Sequence, residues 1–306
     1  RGERSRSDDL YFDIVTNAEL GKFFPTDYGL RIPLFFSYTN QVSTPEYNPL
    51  MPDIEMNSAL ANLSRNQRDS LLRVTQDYTT RKSFNLTNVR KIRTNIDKPV
   101  RPWDIENFSA TYAYSQYYHR DYLTAISLQK NYRAALDYTF SSSGETFIEP
   151  LKNVFKKKYQ SLLRDFNFNL MPSLLNFRID VNRIYNENTL RDNSPDNFLP
   201  SMGTLYNKNF TMNRIYGISW NLTKSLKLDF NATNYSIVDE PDGRLDGLKR
   251  DTLWENFWRL GRTTDYNHML NITYSLPISK IPGLDWVNVD ARYGAQFTWQ
   301  TEPLLS

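Results

Sequence analysis

Residues 206–238, YNKNFTMNRIYGISWNLTKSLKLDFNATNYSIV, alternate in steps of two over a length that few soluble folds use. Phe210, Met212, Tyr216, Ile218, Trp220 and Leu222 fall on one side, and Thr211, Asn213, Gly217, Ser219, Asn221 and Thr223 on the other. That is the period of a β-strand. After the Thr223-Lys224-Ser225 connection the alternation resumes, with Leu226, Leu228, Phe230 and Ala232 opposite Lys227, Asp229, Asn231 and Thr233. Two long strands about a short connection predict a hairpin. Soluble strands usually run about five or six residues, whereas a tilted strand needs roughly nine to eleven to cross a bilayer. Both arms are long enough to cross.

Composition agrees with a wall that has one greasy and one wet side. Mean hydropathy is -0.61, yet 14% of the 306 residues are aromatic, led by 20 Tyr and 18 Phe. An aromatic-rich, Asn/Thr-rich, polar chain suits a transmembrane barrel. No apolar run approaches the roughly 18 residues of a membrane-spanning helix, and the start RGERSRSDDL does not read as a signal peptide. The expectation is therefore a mature chain or a piece of something longer. The absence of cysteine removes disulfides and thiolate metal sites. A net charge of +3 from 37 basic and 34 acidic side chains is too balanced to argue for a nucleic-acid partner.

Taken in order, the same period marks ten strands: 10–20, 30–38, 78–90, 108–118, 126–140, 175–181, 206–222, 226–238, 266–276 and 287–299. The expected fold is all-β, an antiparallel transmembrane barrel, with residues 1–306 part of one barrel domain. Segment 41–77 opens with Pro45, Pro49 and Pro52 and reads as a long loop in which ALANLSRNQRDSLLRV adds a short helix. Segment 142–173 is a connector in which Leu151, Val154, Phe155, Leu162 and Leu163 approach helical spacing. Segment 239–262 reads as a second long loop. Connections near 20–29, 91–104, 142–173, 223–225 and 277–285 alternate with those near 41–77, 119–123, 187–205 and 239–262. The first set contains tight turns and is assigned to the periplasm, the second to the exterior.

Lys130, Arg183, Arg214 and His268 break the apolar parity, each in the outer half of its strand. A cation at mid-membrane on that face costs roughly 2–4 kcal/mol and far less at the interface. The expectation is a barrel taller than its membrane, with the apolar band nearer the periplasm.

Several long segments resemble a known family. TRKSFNLTNVRK (80–91), DIENFSATYAYSQYYHRDY (104–122), NLTKSLKLDFNATN with DEPDGRLD (within 206–246) and GRTTDYNHMLNITYSLPISKIPGLDW (261–286) are similar to the SprA/Sov family. These are outer-membrane translocons of the Bacteroidota type IX secretion system, required for gliding motility in gliders. The resemblance implies an arc of a very large single-chain barrel, here as a fragment, that exports cargo proteins bearing a C-terminal targeting domain. It also implies a pore that opens sideways, a small shuttle barrel of the PorV type at that opening, and a periplasmic plug protein. Family members are several times longer than 306 residues, and a ten-stranded arc alone would leave two unpaired edges.

On the polar parity, Asn176, Arg178, Asp180, Asn182, Lys227, Asp229, Asn231, Asn271, Asn288, Asp290 and Arg292 are expected to face a wet lumen. Mixed signs suit a conduit for varied proteins better than an ion filter, which uses rings of one sign. On the other parity, Leu136, Phe140, Phe177, Ile179, Ile218, Trp220, Leu228, Phe230, Ile272, Tyr274, Val289 and Tyr293 are expected to face lipid. The bland counterpart is a solvated sheet face.

Other motifs carry less. Asp239, Asp242 and Asp246 in DEPDGRLD are the oxygen-rich type of loop that calcium uses, but the spacing is not that of an EF-hand and an Asp-Gly turn accounts for it. His119 and His268 have no metal-ligand spacing, no catalytic triad context surrounds them, and no glycine loop for phosphate is present. The expectation is a protein that is not an enzyme and uses no metal or cofactor. Asn-x-Ser/Thr triplets such as Asn85 and Asn221 fall in strands and read as products of the polar parity. LKNVFKKKYQSLL (151–163) presents a basic face that either docks a periplasmic partner or is simply solvated. A carbohydrate-binding surface protein would scatter its aromatics over loops. A TonB-dependent receptor would want a plug domain, and none is found here.

Overall fold

The ten alternating segments form ten long strands: β1 Ser7–Glu19, β2 Pro33–Pro45, β3 Asp77–Lys91, β4 Phe108–Arg120, β5 Thr124–Ser141, β6 Leu174–Leu190, β7 Leu205–Asn221, β8 Leu226–Ile237, β9 Arg262–Leu276 and β10 Val289–Gln300. This computed structural model describes residues 6–95, 97–142, 147–154, 161–192, 203–281 and 283–302. Each strand pairs antiparallel with the next in sequence. The result is a single up-and-down sheet, with β1 and β10 each bonded along one edge. Short pairs at Leu30–Arg31 and between Tyr47–Asn48 and Met51–Glu55 accompany it. Among the described residues no helix is long and apolar enough to cross a membrane.

Several strands exceed their expected bounds. β2 runs on to Pro45 and β6 to Leu190, because polar residues there continue the ladder even after the apolar alternation has faded. β10 starts at Val289, two residues later than expected, since the Pro277–Lys280 3-10 turn and the residues after it delay pairing until Leu276 meets Val289.

Antiparallel partners share a face, so register carries one side of the sheet from strand to strand. Phe36, Phe84, Tyr114, Tyr132, Arg183 and Phe210 are successive partners, as are Leu136, Ile179, Arg214, Asn234, Tyr266 and Trp299. Asp137, Arg178, Ile215, Thr233, Asn267 and Thr298 run in parallel on the opposite face. A bulge in β3 between Leu86 and Val89 preserves the faces beyond it, and Asn88 sits there with φ 56°. Its N–H donates to Thr111 Oγ1 at 3.0 Å.

The connections gather at two ends. At one, Lys224 N–H donates to Asn167 Oδ1 (2.7 Å), Ser161 Oγ donates to the Lys280 carbonyl (2.8 Å), and Ile92 N–H donates to the Gly29 carbonyl (2.6 Å). At the other, Arg120 and Arg191 both donate to the Arg73 carbonyl, and Arg244 pairs with Glu187. The 46–76 connection holds two helices, α1 Met56–Ala61 and α2 Arg65–Thr75, with Ser64 and Gln67 forming a capping box at the break. In the 142–173 connector the described helical part is α3, Ser161–Arg164. Residues 155–160 of the expected amphipathic helix lie outside the described residues. The 238–261 connection carries α4, Gly247–Trp258, where a loop was expected.

Candidate functional site

The polar face is built from polar side chains that bond across strands and along them. Arg178 bridges its register partner Asp137 (2.9 Å) and Asp180 two residues along its own strand (Nε to Oδ2 2.5 Å). Ser219 donates to its partner Asp229 at 2.6 Å, and Ser275 to its partner Asp290 at 2.6 Å. Lys227 lies 3.2 Å from Asp229. Charges of both signs therefore neutralise one another in place, and no single sign dominates. Gly217 is the spacer at the centre: a Cβ there would stand 3.4 Å from both the Asn176 Cβ and Asn231 Oδ1, its register partners on either side.

Asn176, Arg178, Asp180, Asn182, Lys227, Asp229, Asn231, Asn271, Asp290 and Arg292 share this face by register. Asn288 precedes the ladder, so register assigns it to neither face. Leu136, Phe140, Phe177, Ile179, Ile218, Trp220, Leu228, Phe230, Ile272, Tyr274, Val289 and Tyr293 share the opposite face. Phe140 is fully buried at the end of the sheet where the 147–173 segment returns, with Ser142 N–H on the Ser173 carbonyl (3.0 Å). Trp220 donates its indole N–H to the Asn169 carbonyl at 2.9 Å in the same region. Tyr293 is 61% exposed, so the apolar face beside the β10 edge is uncovered.

The apolar face is covered at its other end. The 238–261 connection folds back so that Leu253 of α4 and Val238 bury against Phe210 and Met212. Phe257 stacks on Phe210 at 5.7 Å. Two cations that break the parity find partners here, one from this cover and one from β8. Arg183 binds both carboxylate oxygens of Glu240 (2.7 and 2.8 Å), and Arg214 donates to Asn234 (2.7 Å) and Ser236 (3.0 Å). His268 sits among the rings of Phe230, Tyr266 and Phe297. Both arginines have hydrogen-bond partners within the protein. Leu253 and Phe257 stand four apart behind the cap position Asp246, a pattern too short to mark α4 by itself.

DEPDGRLD forms a turn with Gly243 at φ 78°. Lys208 donates to the carbonyls of Pro241 and Gly243, and Asp239 faces Arg262 at 3.4 Å, so cations occupy its surroundings. Among the described residues no cluster of three or more His, Asp or Glu side chains could hold a metal ion. His119 belongs to the polar face, 3.0 Å from Thr79, and His268 to the apolar one.

Outside the strands, two carboxylates pin the connections of one end. Hydrogen bonds from Arg164 and then Lys280 pull Asp165 down to about 2. Bonds from Lys152 and then Lys224 do the same for Glu149. Lys224 and Lys280 belong to the 222–225 and 277–288 connections, so these pairs tie three connections together.

No curated protein sequence matches the chain. Residues 2–60 match the SprA_N family, described as motility related/secretion protein. They comprise β1, β2 and the start of the 46–76 connection, and lie N-terminal to all the segments on which the resemblance above rests. Over those residues the chain is related to the SprA/Sov motility and secretion proteins.

Proposed function

We propose that the sheet is an arc of a large barrel in the bacterial outer membrane, whose polar face lines a conduit for secreted proteins and whose apolar face meets lipid. The observation that carries this reading is two-sidedness held in register across ten strands of 12 to 18 residues. Each strand exceeds the roughly nine to eleven residues that a tilted crossing requires. On β5 no charge interrupts the apolar parity from Tyr132 to Phe140. The polar face offers hydrogen-bonding groups at balanced charge, a lining that adheres to no one class of passing polypeptide.

The one-sided pairing of β1 and β10 calls for further strands of the same barrel, because lipid leaves an open edge unsatisfied. In this reading the end built from 20–32, 92–107, 142–173, 222–225 and 277–288 lies in the periplasm and the opposite end outside. The partners are then cargo proteins, a small PorV-type shuttle barrel, a periplasmic plug protein and outer-membrane lipid. The conduit uses no nucleic acid, cofactor or chemistry of its own, and the energy for export comes from elsewhere.

Site-directed spin labels test this directly. In the full chain reconstituted in bilayers, a lipid-phase relaxation agent should reach labels at Leu228 and Ile272. A water-soluble agent should reach labels at Asp229 and Thr273. Equal access at both parities would remove the reading.

A further inference from the structure

A polar hollow interrupts the apolar face beneath the 238–247 segment. Its volume is ≈ 440 Å³, and Lys130, Tyr132, Arg183, Glu187, Arg244 and Leu245 are among its lining. Register puts Lys130, Tyr132, Arg183 and Glu187 on the face read above as lipid-facing.

The charges in it are layered. Glu240 and Glu187 have side chains only 3% exposed and stand behind the arginines they orient, Glu240 under Arg183 and Glu187 under Arg244. Arg183 spends two of its five N–H groups on Glu240. The tyrosine rings of Tyr132 and Tyr185 lie 5.5 and 5.7 Å from its guanidinium carbon. The Arg244 side chain is 63% exposed beyond its bond to Glu187. Among the described residues Lys130 forms no ion pair, so with Arg183 and Arg244 it gives the lining three cations against the carboxylates of Glu187 and Glu240. Such a fork of donors backed by aromatic rings suits a phosphate oxygen cluster.

What lies beside the hollow is apolar. Ala134, Leu136 and Tyr138 continue the face inward from Tyr132 without a charge. Trp254 and Trp258 of α4, next to the core that holds the segment down, are 50% and 75% exposed. Exposed tryptophan at the margin of an apolar face is the pattern of a membrane interface.

We infer that the hollow is a site for the phosphorylated headgroup of an outer-leaflet lipid, whose acyl chains lie along Ala134, Leu136 and Tyr138. This rests on the reading of the apolar face as lipid-facing. The chemistry it shares with free phosphate is the anionic oxygen cluster, and the acyl chains distinguish the two.

The test uses the full chain in nanodiscs of zwitterionic lipid, with bisphosphorylated lipid A, dephosphorylated lipid A and inorganic phosphate as probes. Bisphosphorylated lipid A should bind at least tenfold more tightly than its dephosphorylated form, and inorganic phosphate far more weakly than either. Lys130→Gln should lose most of that preference and Lys130→Arg should restore it. Because Lys130 forms no ion pair among the described residues, both variants should keep the wild-type circular dichroism. Undiminished preference in Lys130→Gln, or equal binding of the two lipid forms, would overturn the inference. Inorganic phosphate binding as well as the lipid would overturn the lipid source. A lipid-phase agent that reaches a label at Leu228, with no Lys130 effect, sinks this inference alone. A failure to reach Leu228 sinks the function reading beneath it.

Discussion

Arg183 shows how a residue that violates a pattern is made tolerable. It sits on the apolar parity with its side chain 16% exposed, and Glu240, drawn from a different segment, meets it with both oxygens. Removing one member of a buried pair leaves a charge without a partner, which costs about 3–5 kcal/mol. Glu240→Gln should therefore lower stability by about that amount in urea titrations of the reconstituted protein. The double change Arg183→Met with Glu240→Leu should recover most of it, as exchange of a buried pair for apolar residues is close to neutral. Asp165 makes a different case, because its partners lie at the surface. Its carboxyl is held near 2, below its ordinary value of 3.8, so the bonds to Arg164 and Lys280 contribute above the ordinary value and vanish as pH falls through about 2. Amide exchange in 161–165 should accelerate between pH 4 and pH 2 beyond the intrinsic rate, and Asp165→Asn should flatten that dependence. Only the parity violation was legible in the residues themselves. Their partners lie 57 and 115 positions away, for Glu240 and for Lys280 on Asp165, beyond any local pattern.

At the scale of elements, period two identified all ten long strands because a strand's faces are set by neighbours two apart. It erred at ends such as Pro45 and Leu190, where pairing continues through polar residues. α4 was hidden in a segment read as loop. Its apolar residues, Leu253, Trp254, Phe257 and Trp258, are too few and too clustered to dominate a window that also holds Lys249, Arg250, Asp251 and Glu255. What stabilises it is docking on Phe210 and Met212, a tertiary contact. Leu253→Ala should cost about 2–5 kcal/mol of that docking, and expose 247–258 to limited proteolysis while β7 and β8 stay protected. The turn at 222–225 is the opposite kind of element. Thr223 Oγ1 accepts from the N–H of Ser225 (3.1 Å) and Leu226 (2.8 Å), a local device that the sequence displays openly.

For the whole molecule, the sheet is one continuous surface with two free edges. β1 and β10 are almost entirely exposed, and among the described residues each offers a row of unpaired backbone groups. Expressed by itself in detergent, the 306-residue chain should form concentration-dependent oligomers, with intermolecular cross-links between cysteines introduced on β1 and β10. A monodisperse monomer across the range would mean the edges are otherwise protected. Alternation along each strand was enough to determine the long strands, their period and, away from the β3 bulge, which side chains of a strand share a face, since those follow from the chain's own pleat. The tertiary structure decided what covers the faces. The return of 238–261 over the apolar side, the burial of Phe140 and the pairing of Arg183 with Glu240 depend on segments that meet only after folding, where a charge's environment is set by packing and not by its neighbours in the chain.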